Sequence, residues 1–298
     1  VVNGPGRGSA NGLQLFGVDF SSAPSRRKPI VVAFGVAAGD QVYPTRLEAV
    51  FDLPTYAERV TRPGPWLAAF DLPFGLPREL VEQLGWPTRW PALIAHFAAL
   101  PRPVIRDRFA AFCAARPAGA KFAHRACDRL AGSSPSMKWI NPPVAWMLHA
   151  GVPPLISAGV RVPGLHDDGD PSRVAVEAYP GLLARTAIGR RPYKSDDLSR
   201  QTPERREARA DLVDALTAGL PGLGLRLAVD AALRKVLIND ARGDALDAVL
   251  CLMQAAFAAR RADFGLPRDV DGVEGWIVGA GLIGAARPAW VEAGAVKT

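Results

Sequence analysis

Five carboxylates of this chain stand where a carboxylate is costly. Asp19 closes the apolar run "LFGVD" and Asp71 closes "WLAAFD". Glu177 lies inside "RVAVEAYPG", and Asp244 and Asp247 open "GDALDAVLCLMQAAF". An acid with apolar neighbours needs a cation or several donors before it can ionise there. Each has a simple alternative. Asp19 also reads as a turn residue bonding backbone near Ser21 and Ser22, and Asp71 as a cap ahead of Leu72 and Pro73. Glu177 could pair with Arg173 or another base, and Asp244 suits the first turn of a helix through the helix dipole. Asp247 is the hardest to explain in this way. It shares a helix face with Asp244, its neighbours run from Leu246 to Leu252, and Leu250 and Cys251 occupy the positions where a base would reach it. Convergent carboxylates repel, so a cluster implies a cation. Hard divalent ions, Mg²⁺ or Mn²⁺, are the ones such oxygens select. Two ions about 4 Å apart activate water and stabilise a leaving oxygen in phosphodiester cleavage.

Such a cluster requires an acid from a central strand, one from a neighbouring strand and one from a packed helix. The pattern predicts strands at residues 13–20, 29–37, 46–51, 66–73 and 172–180, the first two antiparallel, and an edge strand or ordered tail at 272–280. Helical character is predicted for "LPTYAERVTR", for the second part of the charged tract after residue 190, and from Asp244 onward. Residues 78–150 read as helices divided by Pro and Gly, a mostly helical insertion. Strands interleaved with helices give an α/β protein. One domain is expected over residues 13–280, with tails at 1–12 and 281–298. No P-loop occurs, and the first strand is followed by "GVDFSSAP" rather than a glycine fingerprint, which disfavours dinucleotide binding.

Composition narrows the partners. The 298 residues are 49% hydrophobic and 22% charged, enough for a core. No uninterrupted apolar window is long enough for a membrane span, and the first residues lack the pattern of a secretory signal. With 3 scattered cysteines and no zinc spacing, a reducing, cytoplasmic location is expected. Between Trp86 and Ala145 there are nine bases and two acids, an excess equal to the whole formal charge of +7. That distribution suits a polyanion, with a solvated helical face as the alternative. Lys194 could contact phosphate or sit in a solvated loop, and His166 could approach a substrate. Trp86, Trp90, Trp139 and Trp146 could stack bases, although core packing is the default for them.

The stretches "GVDFSSAP", "AAFDLPFG", "VAVEAYPG", "GDALDAVLCLMQAAFA" and "EGWIVG" together resemble the domain of unknown function 429 family, predicted nucleases with a ribonuclease H-like fold. The resemblance spans residues 17–280. With the strand spacing it implies a mixed five-stranded sheet of order 3-2-1-4-5, Asp19 on the first strand and Asp71 on the fourth, with the insertion leaving after the fourth and covering one edge of the cleft. It implies metal-binding roles for Asp19, Asp71 and Asp247, a supplementary one for Asp244, and a less defined role for Glu177. The activity implied is Mg²⁺- or Mn²⁺-dependent hydrolysis of a nucleic-acid phosphodiester. The alternatives are a phosphohydrolase or phosphotransferase acting on a nucleotide or phosphosugar, and a non-catalytic nucleic-acid binder. The fold class serves all of these.

Overall fold

Alternation along the strands decides which side chains meet which layer of helices. The computed structural model describes residues 12–284. The expected tails therefore lie almost wholly outside the described residues. β1 (Gln14–Asp19), β2 (Ile30–Ala38) and β3 (Gln41–Val50) form an antiparallel meander. The β2–β3 turn is made at Gly39, whose φ of 58° suits a residue without a Cβ. α1 (Leu53–Val60) follows, its first turn capped by the Asp52 carboxylate, which accepts from the Thr55 N–H at 2.7 Å. β4 (Trp66–Asp71) returns to lie parallel beside β1.

The chain then leaves the sheet for the predicted helical insertion. It comprises α2 (Arg78–Gln83), α3 (Trp90–Ala99), α4 (Arg102–Ala114), α5 (Ala126–Ala131) and α6 (Val144–Ser157). β5 (Val160–Arg161) and β6 (Asp170–Glu177) bring it back, β6 parallel to β4. α7 (Pro180–Ile188), α8 (Pro203–Ala218), β7 (Arg226–Leu227), α9 (Ala231–Asn239) and α10 (Asp244–Ala259) complete the order.

The result is an α/β protein with one mixed sheet, as expected, but with seven strands rather than five, in the order β5-β6-β4-β1-β2-β3-β7. The two unforeseen strands, β5 and β7, are two residues each, too short to leave a periodic signal. Residues 272–280 form turns rather than an edge strand, touching the sheet through a bridge between Ile277 and Glu177. Among the described residues no helix is long and apolar enough to cross a membrane.

Parallel register fixes the two faces. Leu15, Gly17 and Asp19 stand opposite Leu67, Ala69 and Asp71 on β4, and Leu67 and Ala69 in turn oppose Val174 and Val176 on β6. This face is covered by α7 to α10, with Leu183, Leu212, Leu237 and Leu252 in its core. The other face carries Val18, Ala68, Phe70 and Ala175, and packs against Leu80, Leu93, Phe109 and Leu148 of the insertion. The insertion does leave after β4, but most of it covers the face away from Asp19 and Asp71. α5 reaches the C-terminal end of β6, where Cys127 and Ala131 meet Ile277 and Ala280.

Candidate metal centre

Gly17 is the point from which the centre is built. A Cβ there would collide with backbone atoms of Ala248 and Leu252, so α10 lies directly on β1. Asp19 is two residues further along the same face of β1, and Asp247 precedes Ala248. The close approach therefore brings the helix acid to the strand acid. α10 is apolar on every side, as a helix buried on every side must be, and residues 246–258 are all buried. Asp247 is 0% exposed within it. Asp71 is placed by register, being the β4 residue directly opposite Asp19. Carboxylate oxygens of Asp19, Asp71 and Asp247 all lie within 4.8 Å of one another.

Asp247 takes its partners from a distant loop. Its Oδ1 accepts from the Tyr193 hydroxyl at 2.6 Å, and its Oδ2 accepts from the Lys194 ammonium. Lys194, read from the sequence as a phosphate contact or a solvated loop residue, is paired with an acid of the cluster while its side chain stays partly exposed. Asp19 and Asp71 accept no hydrogen bond from any described residue. Burial, and then the charges of Asp247, Asp71 and Asp244, push the Asp19 carboxyl well above the usual range, with Lys194 opposing. Burial pushes Asp71 up to about 7, reinforced by Asp247 and Glu177 and again opposed by Lys194. Burial disfavours a charged Lys194, yet Asp247, Asp19 and Asp71 outweigh it and hold the ammonium well above its ordinary value.

The other two predicted acids stand apart from this trio. Asp244 is the first residue of α10, half-buried like Asp19 and Asp71 but outside their cluster, and is pushed up to about 6 by burial and by Asp240. Glu177 is opposite Phe70, and so belongs to the other face of the sheet from Asp71. Its carboxylate is fully engaged. Arg125 donates from Nη1 at 2.7 Å and from Nη2 at 2.6 Å, and the Phe74 N–H donates at 2.9 Å. The same guanidinium holds Asp128 through Nε and Nη2. Arg125 is the base that Glu177 required, and no local spacing pointed to a partner 52 residues away.

Most bases of the insertion are exposed, Arg89, Arg102, Arg106, Arg108, Lys121 and Arg129 among them, so a basic surface is present, on elements that pack against the face away from the acids. Arg125 is 1% exposed and internal. Arg116 pairs with Glu79, while Arg102 and Arg108 lie over the rings of Trp146 and Trp86. Trp86 and Trp90 are core residues. His166 stacks at 6.5 Å on Trp90, on the insertion side. Lys194 is the base beside the trio, Lys28 acts on Asp244, and further bases are tied to the same loops. Arg242 donates to the Arg27 carbonyl, Lys28 pairs with Asp196, and Arg205 donates to the Lys194 carbonyl. The sequence signal for this rim was present in "SRRK" and "RRPYK", but long-range contacts were needed to bring the two stretches together.

Three carboxylates, two of them without donors, form an all-oxygen set suited to Mg²⁺ or Mn²⁺. Asp19 and Asp71 have oxygens free to hold such an ion, with Asp247 beside them. Comparison with family models, with curated proteins and with solved structures finds no match for this chain.

Proposed function

We propose that this chain is a metal-dependent nuclease, hydrolysing phosphodiester bonds of nucleic acid with Mg²⁺ or Mn²⁺ held at the cluster of Asp19, Asp71 and Asp247. The observation that carries the reading is the convergence of those three acids within 4.8 Å from two adjacent strands and one buried helix. They are the same three for which the resemblance to the domain of unknown function 429 family implies metal binding. The ribonuclease H-like assignment belongs to this proposal. In its support, β3-β2-β1-β4-β6 runs as an unbroken stretch of the sheet, giving 3-2-1-4-5 when β6 is counted as the fifth principal strand. A bound divalent ion supplies Lewis acidity toward a phosphoryl oxygen and a lowered pKa for water. The chain's own residues fix the acids and exclude bulk water from Asp247. The rim of Arg27, Lys28, Lys194, Arg205 and Arg242 supplies positive charge for a phosphate backbone. That rim, rather than the insertion, favours a polymeric substrate.

The test is a cleavage panel of single-stranded, duplex, hybrid and branched nucleic acids, with nucleoside triphosphates and sugar phosphates alongside. Polymer cleavage that requires Mg²⁺ or Mn²⁺ and disappears in Asp71→Asn supports the proposal. Turnover of the small phosphates alone transfers the same acids to a phosphohydrolase.

A further inference from the structure

Asp247 differs from the other two acids of the cluster in that both its oxygens are already engaged, one by Tyr193 and one by Lys194. The lysine is fixed by its backbone. The Tyr193 carbonyl accepts from Arg209 Nη1 at 2.6 Å, the Lys194 carbonyl accepts from Arg205, and the Ser195 N–H donates to the Ala241 carbonyl at 3.1 Å. Arg209 also donates from Nε to the Ile238 carbonyl at 2.7 Å, joining α8 to the end of α9. Gly243 lies so close that a Cβ there would stand 2.8 Å from the Lys194 Cβ. The same Gly243 caps α10, and its carbonyl accepts from the Asp247 N–H at 2.8 Å. One scaffold therefore sets the position of both lysine and acid. The Lys194 side chain is 41% exposed, while the carboxylate that its ammonium touches is fully buried.

Charge balance gives this arrangement a consequence. Counted as deprotonated, the form in which carboxylates ligate a metal ion, three carboxylates and one ammonium leave a deficit of two positive charges. A single divalent ion meets that deficit, and a second one would exceed it.

We infer that Lys194 occupies the place of a second cation, so that the centre takes one divalent ion on Asp19 and Asp71 while Lys194 stays on Asp247 and faces the substrate phosphate. This inference rests on the metal-dependent reading of the site. A fixed ammonium offers a phosphate oxygen a point charge without the need to capture a second ion from solution.

The experiment is to count Mn²⁺ bound per chain, by calorimetry and by the electron paramagnetic resonance signal of the free ion. The proteins are the wild type, Lys194→Gln, Lys194→Ala and Lys194→Arg, with circular dichroism melts recording that each is folded. The expected result is one ion in the wild type and in the arginine variant, and two in the glutamine and alanine variants, where Asp247 Oδ2 is released while Tyr193 keeps Oδ1. Two ions in the wild type, or one ion of unchanged affinity in the glutamine and alanine variants, would overturn the assignment of Lys194 and leave the metal reading standing. No ion bound by any of the folded proteins would remove the metal reading itself, and this inference with it. The wild-type count alone decides the matter if a variant does not fold.

Discussion

Asp71 and Glu177 end neighbouring strands, a few residues from each other across the sheet, and they have opposite fates. Glu177 faces the insertion and is met by a bidentate arginine and a backbone N–H. Its neighbourhood is fully paired. Asp128 accepts from Arg125 and from the Arg125 N–H, and Glu274 accepts from the N–H groups of Arg78 and Ala126 at the starts of α2 and α5. Asp71 faces α10 and accepts from no described residue, as does Asp19. One cluster thus brings its own cation and fastens the insertion and the 272–280 segment to the sheet. The other has one lysine for three acids. Burial of a carboxylate alone does not mark function; what separates these regions is whether the fold supplies the donors.

Loss of the internal cation is expected to cost the most. Arg125→Met leaves Glu177 and Asp128 buried without their partner, at a cost of about 3–5 kcal/mol. Chemical denaturation is expected to show that loss, and a loss below about 1 kcal/mol would reduce the network to an ordinary surface pair. Gly17→Val attacks the other region through geometry. The added side chain meets the α10 backbone, so a cost of about 1–3 kcal/mol or more is expected together with weakened Mn²⁺ binding. Unaltered binding would show that the centre does not depend on that close approach.

Asp71→Asn sharpens the contrast because its sign is reversed. Asp71 has a folded pKa raised to about 7. Its contribution to stability is therefore present below the unfolded value of about 4 and is lost as pH rises through about 7. The metal-free wild type is expected to melt at progressively lower temperature across that window, and the asparagine variant to show a flatter profile and a melting temperature a few degrees higher near neutral pH. A variant that melts lower than the wild type at pH 7 would place Asp71 with the paired acids. The smallest effects concern the rim. Replacing Lys28 or Arg242 by alanine is expected to lower the salt dependence of oligonucleotide binding by about one unit of slope each, with Arg106→Ala in the insertion leaving it unchanged. The opposite pattern would return the polyanion surface to the insertion.

The sequence disclosed the trio because its signals are local. Asp19 and Asp71 each end a short apolar strand, and Asp247 stands in a helix with no base within reach of its own turn. The same locality made Glu177 ambiguous. Whether it shared a face with Asp71 depended on the β4–β6 register, which pairs it with Phe70, and on an arginine arriving from α5. Lys194 was visible as a base in a polar loop, but its acid lay 53 residues away. Net charge was the least transferable signal. The insertion has the larger count of bases and exposes most of them, but on elements packed against the face away from the trio, with Arg125 buried inside the protein.

The proposal is that donor-poor acids hold the ion while donor-rich acids hold the fold. It is tested most directly by Mn²⁺ calorimetry at pH 8 on three proteins, the wild type, Asp71→Asn and Glu177→Gln, each verified as folded at the temperature used. The account predicts binding in the wild type, its loss in Asp71→Asn, and its retention in Glu177→Gln despite a lower melting temperature. Equal binding by the wild type and Asp71→Asn, or loss confined to Glu177→Gln, would contradict it.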